Sequence, residues 1–432
     1  MRFFSSILIC FIFGLMLSLG CPVSYSFGLL FIFLIILIYF FAPVFFIFLI
    51  LLLRPTLDPI LINIRILDLG LGGLIGFILI FLALISFFIK KTNFNKPSKI
   101  LFSAFIVFAF IQSISFFTSS DNLEGFKEMS RTMSIVAIFS LILIHVQSKK
   151  DALLVLKGIS LSCVLPLIIG IFYNPFVDKH GEGHRFQSVM EHPNVMAFFL
   201  IVVIGCVIFR IVEENNEKGQ FSNFDRLYLV SLVVALILTK TRSAWVAFFI
   251  MIFITSVLFY RQYLVYLMLI CLLAGFTPFV QNRVLNAVNF SKTSISINQE
   301  SSFGWRVEQW KNLFQKGMQQ PFWGQGWMAD IRISGNNLAA HNDYLGLFVR
   351  YGIFAMLLYY FLYFYIFLIA RNNLRFSKEI LTLKMSRFFV AYIPAFLIMS
   401  LSENLFSYVV VHWLFWALVG VYMVSLNWGE NA

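Results

Sequence analysis

The feature that most constrains the fold is a succession of apolar segments, many of them close to the ~20 residues that a helix needs to cross a hydrocarbon core. Such segments run over residues 69–89, 152–172 and 343–369. Hydrophobic residues make up 60% of the chain and charged residues only 12%, which excludes a soluble domain. The sequence therefore predicts an all-α polytopic membrane protein.

Apolar segments and the polar breaks between them predict about 12 to 14 transmembrane helices. We treat residues 1–432 as a single integral membrane domain. Two of the predicted helices are short and Pro43 separates one pair, which is why the number is a range. The predicted helices are 3–20, 26–41, 43–53, 69–89, 100–117, 129–146, 152–172, 194–211, 227–239, 243–259, 263–280, 343–369, 388–401 and 407–427.

The loops between these helices differ in charge, and the difference predicts their side of the membrane. One set carries most of the basic residues, and the positive-inside rule places it in the cytoplasm. Its basic residues include Lys90, Lys91, Lys149, Lys150, Arg371 and Arg375. The opposite set contains the outer loop 173–193, the turn at 240–242, the large loop 281–340 and the turn near Glu403. We expect these segments in the periplasm, where nucleotide sugars and ATP are not directly available.

The net charge of +12 follows from this orientation. Lys and Arg lie between hydrophobic segments and do not form one stripe, so nucleic acid is not an expected partner. The polar residues concentrate instead in a motif-bearing core, residues 185–352, on the predicted outer side. We therefore look for chemistry in that core.

The large periplasmic loop 281–340 is predicted to contain an amphipathic helix that lies on the membrane. Trp305, Gln309 or Trp310, and Leu313 recur at helical spacing, and Ser302 is placed to cap the helix. Pro321 and the pair Gly324 and Gly326 then mark a tight turn. The tryptophans suit the headgroup layer, where an indole buries its ring and hydrates its N–H: Trp305, Trp310, Trp323 and Trp327.

Arg242 lies between two apolar segments, where an unpaired guanidinium is costly, so a lasting anionic partner is expected. Two interpretations are open. The planar guanidinium is suited to bind two phosphate oxygens at once. Alternatively, Arg242 extends to the interface or pairs with Glu403. Lys240, in the same turn, is a candidate supporting residue.

Arg185 belongs to a polar segment that leads into an apolar helix at Pro193 and Asn194. Arg185 and His192 either bind an anion, with Asn194 in support, or belong to a solvated loop and a helix start. Arg306 is similar, because an Arg beside Trp on an amphipathic helix is ordinarily a headgroup contact. Each of these cations alone is weak evidence for phosphate binding, and the interpretation is favoured only when they are considered together.

His341 stands where a helix begins, followed by Asn342 and Tyr344 as candidate supporting residues. A His at this place is either a general base or a capping or packing residue. Asp343 is not expected to orient its ring, because side chains two residues apart on a helix point in different directions.

The sequence contains no Walker-type glycine loop and no His or Asp pair with metal-ligand spacing, so no metal and no cofactor are expected. If a phosphate leaves from this site, Arg residues must supply the stabilisation that a metal supplies elsewhere.

Taken together, these segments resemble the O-antigen ligase and O-antigen polymerase superfamily. The matching pieces occur in the family's order: 185–194, 239–245, Arg306 with Trp310, 321–326, and 341–345 with Gly352. The resemblance implies a metal-independent, inverting glycosyltransferase of the lipid-dependent, GT-C-like membrane class. It maps the family's arginines onto Arg185, Arg242 and Arg306 as ligands of the donor diphosphate, and the family's His onto His341 as the base.

The donor implied by this resemblance is a glycan on undecaprenyl diphosphate, used at the periplasmic face of a bacterial inner membrane. A ligase transfers it to lipid A–core, whereas a polymerase transfers it to another lipid-linked repeat. The motif set and the single dominant loop favour the ligase. A protein oligosaccharyltransferase is disfavoured because no larger C-terminal periplasmic part is present. A lipid-linked glycan flippase is disfavoured because no inverted repeats or paired broken helices are visible.

Overall fold

The computed structural model describes residues 33–63, 65–66, 69–90, 94–114, 122–172, 185–212, 222–265, 268, 304–334 and 339–428. Its helices, numbered in chain order, are α1 (Pro43–Asn63), α2 (Leu71–Ile89), α3 (Lys96–Ile114), α4 (Asn122–His145), α5 (Lys149–Leu161), α6 (Val164–Phe172), α7 (Pro193–Ile208), α8 (Asn223–Leu238), α9 (Arg242–Leu258), α10 (Gly304–Gly317), α11 (Ala329–Ile333), α12 (Asp343–Phe376), α13 (Ile380–Met399) and α14 (Val409–Ser425). Residues 33–41 are also helical.

Within the described part, six helical segments are long and apolar enough to cross a membrane, when α5 and α6 are taken together as one segment, and four more are apolar but shorter. Their length and composition confirm an all-α polytopic membrane protein. The described residues also contain a short antiparallel pairing of two residues in each strand, between β1 (Arg65–Ile66) and β2 (Leu69–Gly70). The predicted helix at 3–20, most of the one at 263–280 and loop residues 281–303 fall outside the described residues.

Several helices are longer than predicted, among them α1, α4, α12 and α13. Helix α1 continues to Asn63, beyond the predicted end at 53, because Arg54 is accommodated in the bundle with its guanidinium 4.8 Å from the centre of the Trp413 ring. Helix α13 begins at Ile380 and not at 388. Glu379 caps it by accepting the N–H of Thr382, so the basic residues that follow belong to the first turns of the helix.

Helix α14 lies at the centre of the bundle and is buried along its length. It packs against α4, α5 and α7. Its one histidine, His412, has hydrogen-bond partners nearby: the imidazole Nε2 is 2.9 Å from the carbonyl oxygen of Leu405, and Nδ1 is 3.2 Å from the Tyr363 hydroxyl. These bonds tie the segment before α14 to the core, which fixes the turn that carries Glu403.

Helix α12 is broken at Gly352, where φ is 83° and ψ is 177°. The break exposes backbone groups, and the segment from Pro321 to Gly326 bonds to them. Ile353 N–H donates to Pro321 O at 2.8 Å, while the Gly326 N–H donates to the Arg350 oxygen at 3.0 Å. The end of the large loop is thus attached to a membrane helix at the break.

Helix α10 buries Gln309 and Leu313 and exposes Val307 and Phe314. One expectation for this region was wrong. Trp327 does not lie in a headgroup layer but is only 2% exposed, packed edge-on against Tyr351. The left-handed backbone at Gly324 and Gly326 turns the chain inward before it reaches Trp327. Trp323, one residue before this turn, is 50% exposed.

Candidate active site

Four segments that are distant in sequence meet at one end of the bundle: 185–194, 239–242, 341–343 and 400–408. A backbone bond from Phe186 N–H to Leu238 O, 2.9 Å long, joins the first segment to the second. Another, from Asp343 N–H to Ser400 O at 2.8 Å, joins the third to the fourth. The remaining contacts between the segments are made by side chains.

Arg185 is held between the first two segments. Its Nε donates to the carbonyl oxygen of Thr239 at 2.8 Å. Its Nη2 donates to Asn194 Oδ1 at 2.7 Å and to Thr241 Oγ1 at 3.0 Å. Because these bonds fix the plane of the guanidinium, Arg185 has little rotational freedom to lose when it meets a ligand.

Lys240 and Arg242 lie on the outer side of the same turn. The hydroxyls of Thr239 and Thr241 point inward and are buried, whereas the side chains of Lys240 and Arg242 are exposed. Lys240 has a left-handed backbone with φ 53°, and Arg242 is the first residue of α9. The N-terminus of a helix already carries partial positive charge, so these cations add to a field that favours an anion.

His192 caps a helix. Its Nδ1 accepts the N–H of Asn194 at 3.1 Å, next to Pro193 in the first turn of α7. Of the two interpretations of this segment, the helix start therefore describes His192. The Asn194 side chain links three segments, because its Oδ1 accepts from Arg185 and Thr241 and its Nδ2 donates to Glu403 Oε1.

Glu403 is the acidic residue on which these segments converge, and it is only 2% exposed. Its Oε1 accepts from Asn194, and its Oε2 accepts from the Tyr408 hydroxyl at 3.0 Å. Burial, assisted by the charge of Glu403, raises the pKa of Tyr408 well above its ordinary value of 10.0. The phenol consequently keeps its proton and acts as a donor to Glu403.

His341 stands on the other side of Glu403. Its Nδ1 lies 3.7 Å from Glu403 Oε2, which is ion-pair distance and not a hydrogen bond, and its side chain is 26% exposed. The His341 backbone is left-handed, with φ 47°. The imidazole is therefore oriented by a buried carboxylate on one side and accessible from the other.

The residues after His341 have structural partners. Asn342 caps α12 by accepting the N–H of Leu345 at 3.1 Å. The Tyr344 hydroxyl donates to Leu397 O at 3.0 Å, which fastens α12 to α13. Asp343 does not orient the His341 ring, as the helix geometry predicted; its carboxylate accepts the Phe406 N–H at 3.1 Å.

Arg306 reaches the same region from α10. Its Nη1 donates to the Ser402 carbonyl oxygen at 3.4 Å, next to Glu403 in the chain. The structure therefore brings Arg185, Arg306 and His341 together around the turn that carries Glu403. Arg242 is tied to this group through the backbone, since it follows Thr241.

A second buried polar cluster, which the sequence analysis missed, lies at the base of the large loop. Arg350 bonds Asp330 with two nitrogens, at 2.6 and 3.1 Å, and bonds Glu128 with a third, at 2.7 Å. The available signal was Arg350 itself, since an Arg inside an apolar helix requires an acidic partner. Its partners lie in α4 and α11, so no local pattern identifies them.

Among the residues that the structure describes, no group of three or more His, Cys, Asp or Glu side chains is placed to hold a metal ion. The side chains described above bring together arginines, a buried carboxylate and an imidazole. Such a set binds a polyanion and accepts a proton from a hydroxyl.

Comparison with known proteins gives one family match. No curated protein matches the chain. Residues 227–360 match the family described as O-antigen ligase, whose members are membrane glycosyltransferase-like enzymes. The matched region includes Arg242, Arg306 and His341 but ends short of Glu403 and begins after Arg185. The match covers less than half of the chain, and over residues 227–360 the chain is similar to this family.

Proposed function

We propose that this protein is an O-antigen ligase. In this proposal it works in the bacterial inner membrane, with the site facing the periplasm. It transfers a glycan from undecaprenyl diphosphate to a hydroxyl of lipid A–core, without a metal and with inversion. The observation that carries the proposal is the continuous contact from Arg185 through Asn194 and Glu403 to His341. The arginine that would bind a polyanion and the candidate base are thereby held in one rigid arrangement.

The base is His341. With Nδ1 directed at Glu403, Nε2 takes the proton from the acceptor hydroxyl as its oxygen attacks the anomeric carbon. The new glycosidic bond forms on one face of that carbon while the bond to the diphosphate breaks on the other. A single displacement of this kind inverts the configuration. Glu403 stabilises the imidazolium that forms, in the way a buried carboxylate supports a catalytic His.

The leaving group is undecaprenyl diphosphate, which departs with the electron pair of the broken bond. Arg185, Arg242 and Arg306, together with the N-terminus of α9, supply the positive charge that stabilises it. Arg185 is already oriented by Thr239, Thr241 and Asn194. An oriented donor stabilises developing charge without reorganisation during the reaction, so no metal is needed in this scheme.

Deleting the gene and inspecting lipopolysaccharide on a gel tests the proposal. Loss of a ligase leaves lipid A–core without O-antigen, whereas loss of the alternative, a polymerase, leaves core bearing one repeat. Expression of the wild-type chain from a plasmid should restore the ladder. A His341→Ala chain at the same membrane level should not restore it. A deletion strain with an unchanged ladder would refute both assignments.

A further inference from the structure

The backbone of His341 is strained. A non-glycine residue in the left-handed region costs roughly 1–2 kcal/mol, and His341 has φ 47°. Such a conformation persists only where surrounding contacts determine it. The residues that hold His341 in this conformation therefore also determine where its imidazole lies.

On the C-terminal side, the next two residues are fixed by the cap at Asn342 and by the bonds of Asp343 to Ser400 and Phe406. On the N-terminal side, the contacts are made by Ala339, whose carbonyl oxygen accepts from Gln309 Nε2 at 3.3 Å, and by Ala340, which is fully buried. The Ala340 carbonyl oxygen accepts the indole N–H of Trp310 at 2.7 Å. The Ala340 N–H donates to Asp330 Oδ2 at 3.1 Å.

Asp330 is itself immobilised. Arg350 forms a bidentate ion pair with its carboxylate, at 2.6 Å from Nε to Oδ1 and 3.1 Å from Nη2 to Oδ2. Glu128 accepts the remaining bond of the cluster at 2.7 Å, but no contact that the structure shows joins Glu128 to Ala340. Asp330, Arg350 and Glu128 are all buried, so water does not weaken these bonds.

We propose that Asp330 and Arg350 are positioning residues for the transfer reaction. Together they hold the Ala340 N–H, which keeps the His341 backbone left-handed and its imidazole against Glu403. The catalytic part of this inference rests on the proposed function, but the positioning part does not. The competing explanation is that the cluster only joins α4, α11 and α12.

Two isosteric substitutions separate these explanations. Asp330→Asn and Glu128→Gln each remove one buried negative charge from the same cluster, but only Asp330→Asn disturbs the acceptor of Ala340. The measurements are made on full-length protein in lipid. They are thermal stability, the rate at which diethyl pyrocarbonate modifies His341 as followed by mass spectrometry, and turnover and KM with the lipid-linked donor.

We expect Asp330→Asn to raise the modification rate of His341 several-fold. We expect it to lower turnover about ten- to a hundredfold at little changed donor KM, since a displacement of about 1 Å at a reacting group has effects of this size. Glu128→Gln should leave the modification rate and turnover little changed. Equal effects of the two substitutions on His341, or none in Asp330→Asn, would overturn the positioning role.

If Asp330→Asn fails to accumulate in the membrane, Trp310→Phe provides a second variant, because it deletes the other bond to Ala340 without removing a charge. It should also raise the modification rate of His341, and an unchanged rate counts against the proposal. A faster modification rate in a protein whose wild type shows no transferase activity would refute the proposed function and retain the positioning role.

Discussion

We expect an alanine substitution to reduce stability strongly at Gly352. Its φ of 83° and ψ of 177° belong to a backbone region that only glycine populates readily. A Cβ at this position would collide with the backbone carbonyl of Phe322, in the turn that docks on the break in α12. Since the obstacle is backbone and not a flexible side chain, no rotamer change relieves the collision.

The cost of Gly352→Ala has two parts. The backbone conformation costs an alanine about 1–3 kcal/mol. Overpacking against a fixed neighbour adds about 1–3 kcal/mol. The turn can avoid the collision by undocking, but it then loses its bonds to Val349, Arg350 and Ile353, each worth about 0.5–1.5 kcal/mol. By either route we expect a loss of at least about 2 kcal/mol in the free energy of unfolding.

The assay is equilibrium unfolding of purified protein by SDS in mixed micelles. Gly73→Ala is the matched control, because Gly73 lies inside α2 with no heavy atom within 4 Å of the added Cβ. That substitution should be neutral or stabilising by up to about 1 kcal/mol. If the Gly352 variant unfolds at the same SDS fraction as this control, the docking of the turn on the helix break is not what the geometry indicates.

Other expectations concern the site and its orientation. His341→Ala should lower turnover about 10²–10⁴-fold while donor binding is nearly kept, measured on protein of normal thermal stability; near-normal turnover would eliminate the base. Arg185→Lys removes the planar guanidinium and should weaken donor binding about tenfold or more, as measured by ligand titration. Wild-type affinity would show that Arg185 is not part of the diphosphate site. Turnover of purified protein in lipid should persist in excess EDTA, and an absolute need for a divalent ion would refute the Arg-based account of the leaving group. The topology can be tested in a chain from which the 5 native cysteines have been removed. Glu308→Cys should react with an impermeant thiol reagent in intact spheroplasts, and Lys378→Cys should react only after permeabilisation. The reverse pattern would invert the topology.

The sequence predicted which segments would share one side of the membrane. The sorting of loops by charge grouped 173–193, the turn at 240–242 and the turn near Glu403 on one side, and the described parts of these segments lie next to one another, joined by the bonds of Arg185 and Asn194. It was not sufficient to pair the side chains. His341 and Glu403 are separated by α12 and α13, and the distance between them depends on where α12 begins and how the turn before α14 is held. The start of α12 was predicted correctly at residue 343, but the way the turn before α14 is held has no local sequence signal.

Trp327 shows a second limit. The headgroup expectation treated the tryptophans of the large loop alike, because an amphipathic ring suits an interface wherever it occurs. The deciding feature was the pair of left-handed glycines at 324 and 326, which the sequence identified as a turn but could not give a direction. The direction is set by the break at Gly352, where α12 provides the free backbone groups to which the turn bonds.

In the proposed reaction, charge develops at two places: positive on the imidazole of His341 as it takes the proton, and negative on the departing diphosphate. Glu403 is at ion-pair distance from the first place, and its other oxygen accepts from Asn194, whose amide oxygen holds Arg185 for the second. The same buried carboxylate thus orients both ends of the charge separation. Substitution of Glu403 should therefore change donor binding and proton transfer together, whereas His341→Ala and Arg185→Lys each affect mainly one of them. This difference makes Glu403, which lies outside the matched family region, the residue through which the two halves of the site are coupled.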